Sequence, residues 1–594
     1  MANLSPAPDP VRRDICRQIH QWLEEQAPGA TDAAQLISML SRPPEAALGD
    51  FALPCFPFAR SLRRKPDDIA ADLQAALTDQ GSPWVARWEV KGAFLNLFLN
   101  HGAVAGWLLP QIRDGALFKI LREQSGLQEQ KVMVEYSQPN THKTFHVGHM
   151  RNVALGDCLS RLYRYCGYGR VIPVNYIGDE GTHIAKCLWH IRRTGKTPPD
   201  AYRGEWLGDM YAEAGNVLAD ATPEEREEMD REISAVLSAI ESREGEIYEL
   251  WQETRQWSVD VFHEIYDWLG AEFEYDFFES EVSEESQAIV DEFLDKGVFV
   301  HSEGAVGIDL KDKKAGFCIF RKSDGNTTYA AKDLALARRK YEKYDVDRSV
   351  YVVGSEQILH FRQVFLTLER MGFDQAKDCY HLSYAHVVGP EGRMASRKGT
   401  AIAFSDLREK LTEALGEKLE RYKDDPDWSE ADIAQTNRLL GIGAIRYGML
   451  CSDPAKEITF ELDRWLEFSG DTGPYLMYSY ARSRSILKNA AEQGHRADPG
   501  AAPLLATDEE QEILRWMFDF NDTVAGALQA KKPSMLTHYL FDMCKSFSRF
   551  HKNVSVLKAG SAELAAARLA LVEAFSLVLK NGLGLLGITP PERM

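Results

Sequence analysis

Nowhere in the 594 residues does an apolar run approach the ~18 needed to cross a membrane as a helix. The opening stretch MANLSPAPDPVRRDICRQIHQW has no apolar core of a secretory signal, so a cytoplasmic chain with no membrane partner is expected. Nine cysteines are scattered singly, with no CxxC pair. That spacing argues against a zinc ribbon and a disulfide framework, and leaves reduced thiols. Acidic residues outnumber basic ones, 89 to 69. A net charge of −20 argues against indiscriminate nucleic-acid binding, although local basic stripes such as ARSLRRK (59–65) and ARRKYEKY (337–344) remain.

What is present is the composition of a soluble globular protein, 44% hydrophobic and 27% charged, in a chain too long for one core. Residues 1 to about 125 mix helical stretches with GAFLNLFLN (92–100), whose alternation suggests a strand in a small α/β domain. From about 126 to 404 short apolar runs alternate with helical patterns: KVMVE, VIPVNYIGD, GAVGIDL, RSVYVVGSEQ and YAHVVGPEG. This is the pattern of a parallel sheet with crossover helices. An acidic helical insertion (about 197–257) interrupts it, and PEEREEMDREISAVLSAIESREGEIYELW reads as solvated helix. Beyond 404 strand signals nearly vanish, and a connective helical segment (405–460) leads to an all-α bundle (461–594).

The segment NTHKTFHVGHMRN (140–152) lies between a short buried strand and an amphipathic helical pattern that stops at Gly167. A helix starting there aims unpaired N–H groups and a positive dipole end at the turn, which favours a phosphate. His146 and His149 can point together and donate to phosphate oxygens, and Gly148 leaves room for a nucleotide. A lone HxxH equally describes half of a zinc site or two surface histidines. A second loop, GPEGRMASRKGT (389–400), places Arg393, Arg397 and Lys398 among glycines, where the carboxyl ends of a doubly wound sheet would bind ligand.

Taken together, HVGH resembles the HIGH motif and RMASR a degenerate KMSKS motif of class I aminoacyl-tRNA synthetases. EYSQPNTHKTFHVGHMRN, IGDEGTHIAK, FRKSDGNTTYAAKDLALAR, EQILHFRQVF, GPYLMYSYARSRSIL and GLLGITPPERM narrow the resemblance to arginyl-tRNA synthetases, along nearly the whole chain. The resemblance implies a multidomain α/β fold with a Rossmann-like catalytic domain, a tRNA-elbow-binding N-terminal domain and an anticodon-binding C-terminal bundle. It implies ATP-dependent attachment of L-arginine to its tRNA through an arginyl-adenylate, by a monomer that uses ATP with Mg²⁺ and has no zinc or other metal ligands of its own.

By the same resemblance, His146, Gly148, His149, Met394 and Ser396 contact ATP, and His146, His149, Lys143, Arg393, Arg397 and Lys398 act in catalysis. A planar guanidinium calls for carboxylates in its plane and an aromatic neighbour. Tyr329 and Asp333, four apart, and Glu135 at a strand end answer that need, and the resemblance implies that Asn140 and Gln357 hold the α-amino group. Tyr475, Tyr478, Arg482 and Arg484 in the bundle, and Phe94 and Asn96 in the first domain, are candidates for RNA contact.

Two departures from the pattern stand out. Ser137–Gln138 replaces a pair of serines, and Ser396 occupies the second lysine place of the basic loop, which makes Lys143 the candidate substitute cation. A non-catalytic RNA-binding paralogue and a class I synthetase for another amino acid, such as cysteine, are the alternatives. Intact His146, His149, Tyr329 and Asp333 count against the first, and the lack of a cysteine cluster against the second.

Overall fold

The computed structural model describes residues 9–29, 31–389, 392–393 and 402–594. The first domain carries an antiparallel sheet of β1 (Phe51–Pro54), β2 (Val85–Lys91) and β3 (Phe94–Leu99), in the order β1-β3-β2, beside helices Pro10–Gln26 and Pro66–Gln80.

The central domain is built on five parallel strands: β4 (Lys131–Glu135), β5 (Arg170–Ile177), β6 (Tyr275–Phe278), β10 (Arg348–Gly354) and β11 (Cys379–Tyr384). Their spatial order is β11-β10-β4-β5-β6, so the chain starts in the middle and winds outward both ways. The reversal falls between β4 and β10, where connections leave toward opposite faces and open a crevice at the carboxyl ends.

β4 shows how a short apolar run serves a sheet buried on both faces. Val132 and Val134 join the cluster containing helix Val147–Tyr165 and the C-terminal bundle, whereas Met133 joins helices Glu279–Asp295 and Tyr329–Tyr344 on the other side. Helix Val147–Tyr165 is correspondingly buried along nearly its whole length.

Two apolar runs expected in the parallel sheet lie elsewhere. GAVGIDL supplies β8 (Ala305–Asp309), between β7 (Val300–Ser302) and β9 (Phe317–Arg321) in a separate antiparallel sheet. YAHVVG supplies β12 (Val387–Gly389), which pairs with β13 (Gly392–Arg393) and with β14 (Ile458–Thr459). Alternation specifies a strand but not its partners, so these assignments needed the fold.

Helices Thr182–Thr194, Arg203–Asp220, Pro223–Glu241 and the start of Glu246–Leu269 share a core of their own around Ile184, Leu188, Leu207, Ile233 and Trp251. The C-terminal helices pack directly on helix Val147–Tyr165. Arg446, fully buried, pairs with Asp157 on that helix and donates to the carbonyls of Leu269 (2.9 Å) and Leu586 (2.7 Å). Gly587 (φ +72°) makes the space, since a Cβ there would fall 2.0 Å from the guanidinium. Removing one partner of such a pair costs about 3–5 kcal/mol, because the other charge stays buried.

Candidate active site

The loop from β4 to the histidine turn is strained and held in place. Ser137, Gln138 and His142 all have left-handed φ (77°, 45° and 60°), at about 1–3 kcal/mol each. Their neighbours over-determine that shape. Asn152 accepts from Ser137 N (2.8 Å) and donates to Gln138 Oε1 (3.0 Å), Asn175 accepts from Gln138 N (3.0 Å), and Ser258 Oγ accepts from His142 N (3.0 Å). Ser137 turns its hydroxyl to Tyr266 OH (2.7 Å).

His146 is the N-cap of helix Val147–Tyr165. Its Nδ1 accepts from Gly148 N (3.1 Å), and His149 Nδ1 accepts from His146 N (3.2 Å). A backbone N–H can meet only an unprotonated ring nitrogen, so each neutral imidazole carries its proton on Nε2. Burial lowers the pKa of His146 to about 4; burial, His146 and the Lys143 charge lower that of His149 well below its usual value. Both rings are therefore neutral N–H donors. They line a cleft of about 230 Å³ with Asn140, Lys143, Phe145 and Tyr211.

The chain just beyond the basic loop reaches this cleft. Ala403 bridges to His146, while β13 pairs Arg393 with Val388. Met394, Ser396, Arg397 and Lys398 lie outside the described residues, as does the Arg393 side chain. Arg151, one turn into the helix and fully buried, donates to Ala385 O (2.5 Å) and Lys456 O (2.8 Å), pinning the base of the loop.

Beside the cleft, the carboxyl ends of the strands converge on an acidic pocket. Glu135 ends β4, Asp179 and Glu180 follow β5, Glu279 follows β6, and Asp333 faces them from helix Tyr329–Tyr344. Burial and the charges of Glu180, Asp179 and Asp333, opposed by Lys332, raise the Glu279 pKa to about 7. Its Oε1 has no hydrogen bond, only an ion pair to Lys332 at 3.5 Å. The Tyr176 hydroxyl is buried in the same group and also lacks a partner. Crowded carboxylates and an unsatisfied hydroxyl form a place that a cation with several N–H donors would relieve.

The predicted arginine readers occupy this region unequally. Asp333 accepts from His360 Nε2 at 2.5 Å, and Tyr329, one turn earlier at the helix start, is 67% exposed. Glu135 is buried, with its charge matched by Lys340 and its Oε1 accepting from Gln138 (3.1 Å). Asn140 lies against Gly178, where a Cβ would fall 2.3 Å from its Oδ1. Gln357 closes the exposed turn after β10. Glu279, Tyr176, Lys340 and His360 escaped the sequence reading. The trace they leave is faint: an acid just after an aromatic strand, FFESE, and a lysine in a charged helical run.

Of the RNA candidates, Tyr478 and Arg482 form one unit, with the guanidinium carbon 4.6 Å from the ring centroid and Arg482 donating to the phenol (2.7 Å). Tyr475 packs edge-on against Phe541 and bonds Ser548, while Arg484 is paired with Glu592 (2.8 Å). Phe94 is 41% exposed and meets the exposed Phe56 edge-on at 5.6 Å. Asn96 cannot face RNA as expected. It is 4% exposed, on the middle strand β3, flanked by Ala52 of β1 and Glu89 of β2.

Residues 115–462 match the family model described as tRNA synthetases class I (R), catalytic domain. Residues 14–99 match the arginyl tRNA synthetase N terminal domain, and 476–594 the DALR anticodon binding domain. With the doubly wound sheet and its histidine turn, these define a class I aminoacyl-tRNA synthetase. An arginine–tRNA ligase of Bdellovibrio bacteriovorus is 40% identical over 560 residues, covering 93% of this chain and 94% of that one. One from Treponema denticola is 34% identical over 576 residues, with 93% and 94% covered. The chain belongs to the arginyl-tRNA synthetase family. The solved arginyl-tRNA synthetase of Thermus thermophilus superposes with a TM-score of 0.78 at 26% identity, covering 98% of this chain and all of that one.

Proposed function

We propose that the acidic pocket holds the guanidinium of L-arginine while the histidine turn holds the ATP phosphates, so that this ligase makes arginyl-adenylate and then arginyl-tRNA. The observation that carries this reading is the pairing of Glu279 Oε1 and Tyr176 OH, both buried and without hydrogen-bond partners, with Asp333 opposite. Asp333 and Glu279 supply charge, and Tyr176 supplies an acceptor oxygen. Asn140, which lines the cleft beside Gly178, holds the α-amino group, so that the carboxylate is turned toward the α-phosphate.

The carboxylate oxygen then forms a bond to the α-phosphorus as the bond to pyrophosphate breaks. Positioning and N–H donation from the His146 and His149 Nε2 atoms, with Lys143 as the cation, stabilise the charge on the phosphate oxygens. No side chain becomes covalently attached. In the second step a ribose hydroxyl at the tRNA 3′ end attacks the carbonyl and releases AMP. Mg²⁺ would travel with the nucleotide phosphates. Among the described residues no group of three or more His, Cys, Asp or Glu could hold it.

The exposed Phe56–Phe94 edge and the Tyr475, Tyr478 and Arg482 face would contact the tRNA elbow and the anticodon respectively, by stacking and phosphate charge, with one chain acting as a monomer. Incubating the purified chain with ATP, total tRNA and each amino acid in turn tests the reading. Charging with arginine alone is expected, and charging with a different amino acid would overturn it.

A further inference from the structure

The insertion reads in sequence as solvated helix, yet its first helix, Arg203–Asp220, forms a wall of the nucleotide cleft. Three residues spaced by three share the inward face. Glu205 accepts from Ser405 N (3.1 Å) and Oγ (2.6 Å), just beyond the basic loop. Gly208 presses on the histidine turn so closely that a Cβ would fall 2.2 Å from Thr144 Oγ1 and 2.8 Å from Thr144 N. Tyr211 lines the cleft with Lys143, His146 and His149, and the Lys143 ammonium lies 5.6 Å from its ring centroid. The first two contacts fix the register of the helix, and the register sets the ring.

We propose that Tyr211 is a positioning residue for Lys143. A lysine on a four-carbon stem has many rotamers, and most would carry its charge away from a phosphate. A ring face within about 6 Å attracts the ammonium through its quadrupole and so narrows the rotamers that Lys143 samples. The insertion thereby takes part in the activation chemistry through an aromatic side chain. This inference rests on the reading that Lys143 is the phosphate cation.

The test is ATP–pyrophosphate exchange by the full chain with arginine and cognate tRNA, comparing Tyr211→Phe, Tyr211→Leu, Lys143→Ala and the Leu/Ala double variant. Tyr211→Phe should stay within about twofold of wild type, and Tyr211→Leu should lose roughly three- to tenfold in rate, with the KM for arginine unchanged. In the Lys143→Ala background the Leu substitution should cost nothing further. A Tyr211→Leu rate equal to wild type, a Tyr211→Phe loss as large as that of Leu, or an equal Leu loss in both backgrounds would overturn the proposal. If Lys143→Ala is slow while Tyr211→Leu is not, only the role of Tyr211 falls. A wild-type rate in Lys143→Ala removes the reading of Lys143 itself and the inference with it.

Discussion

The rings of His146 and His149 lie 4.0 Å apart, centroid to centroid, and each takes a backbone N–H of the same helix turn on Nδ1. One arrangement thus caps the helix and leaves both Nε2–H groups as donors toward the cleft. Capping and phosphate stabilisation are separable by substitution. His146→Asn retains a good N-cap, so thermal stability should stay near wild type, whereas loss of the Nε2–H donor should slow adenylate formation about 10²–10³-fold. A variant that melts early but keeps its rate per folded molecule would reverse that assignment.

The same two imidazoles set a pH window. The folded pKa of His146, about 4, lies below the usual 6.5, so between those values the unfolded chain binds more protons. Their contribution to stability is present above about 6.5 and is lost as pH falls toward 4. Activation rates between pH 6.5 and 8 should therefore show no limb from His146 ionisation, which a pH–rate profile of wild type against His146→Asn would reveal.

Asp333→Asn should weaken arginine use with little effect on ATP. It removes the carboxylate that pairs with His360 and faces the acidic pocket, a loss of about 3–5 kcal/mol for a desolvated ion pair, seen as a raised KM for arginine. An unchanged KM in a variant with wild-type melting would remove Asp333 from the pocket assignment.

Glu279 predicts proton-linked binding. With its folded pKa near 7, above the usual 4.5, the folded chain holds the proton more tightly, so its contribution to stability declines as pH rises through that window. An arriving guanidinium favours the charged carboxylate. Arginine should bind more tightly as pH rises from 6 toward 7, releasing part of a proton, and calorimetry in two buffers of different ionisation enthalpy measures that release. Glu279→Gln should bind weakly and without release, and a wild-type protein that releases no proton would contradict the role.

Paired removal of Phe56 and Phe94 should raise the KM for tRNA while leaving that for arginine unchanged, since a stacked base contributes ~1–3 kcal/mol. A gel-shift or KM series across Phe94→Ala, Phe56→Ala and the double variant reads this directly. Wild-type tRNA affinity in all three would show that this edge does not meet RNA.

HVGH could be read from the sequence because its contacts are local: a cap, a three-residue step and a helix dipole are all written within one turn. The face shared by Tyr329 and Asp333 follows for the same reason, from a spacing of four on a helix that does form. Buried strands were visible as apolar runs, but GAVGIDL and YAHVVG went to other sheets, because alternation carries no information about which strand lies alongside. Glu135 shows the limit most clearly. Its position at a strand end could be read, but its compensation by Lys340, 205 residues away, could not. The same holds for Glu279, Tyr176 and Tyr211, which reach the site only because crossovers bring separate strand ends and an inserted helix to one crevice. There burial, a property of the assembled fold, moves the ionisation of Glu279 and Tyr176 and leaves Glu279 Oε1 and the Tyr176 hydroxyl without hydrogen bonds.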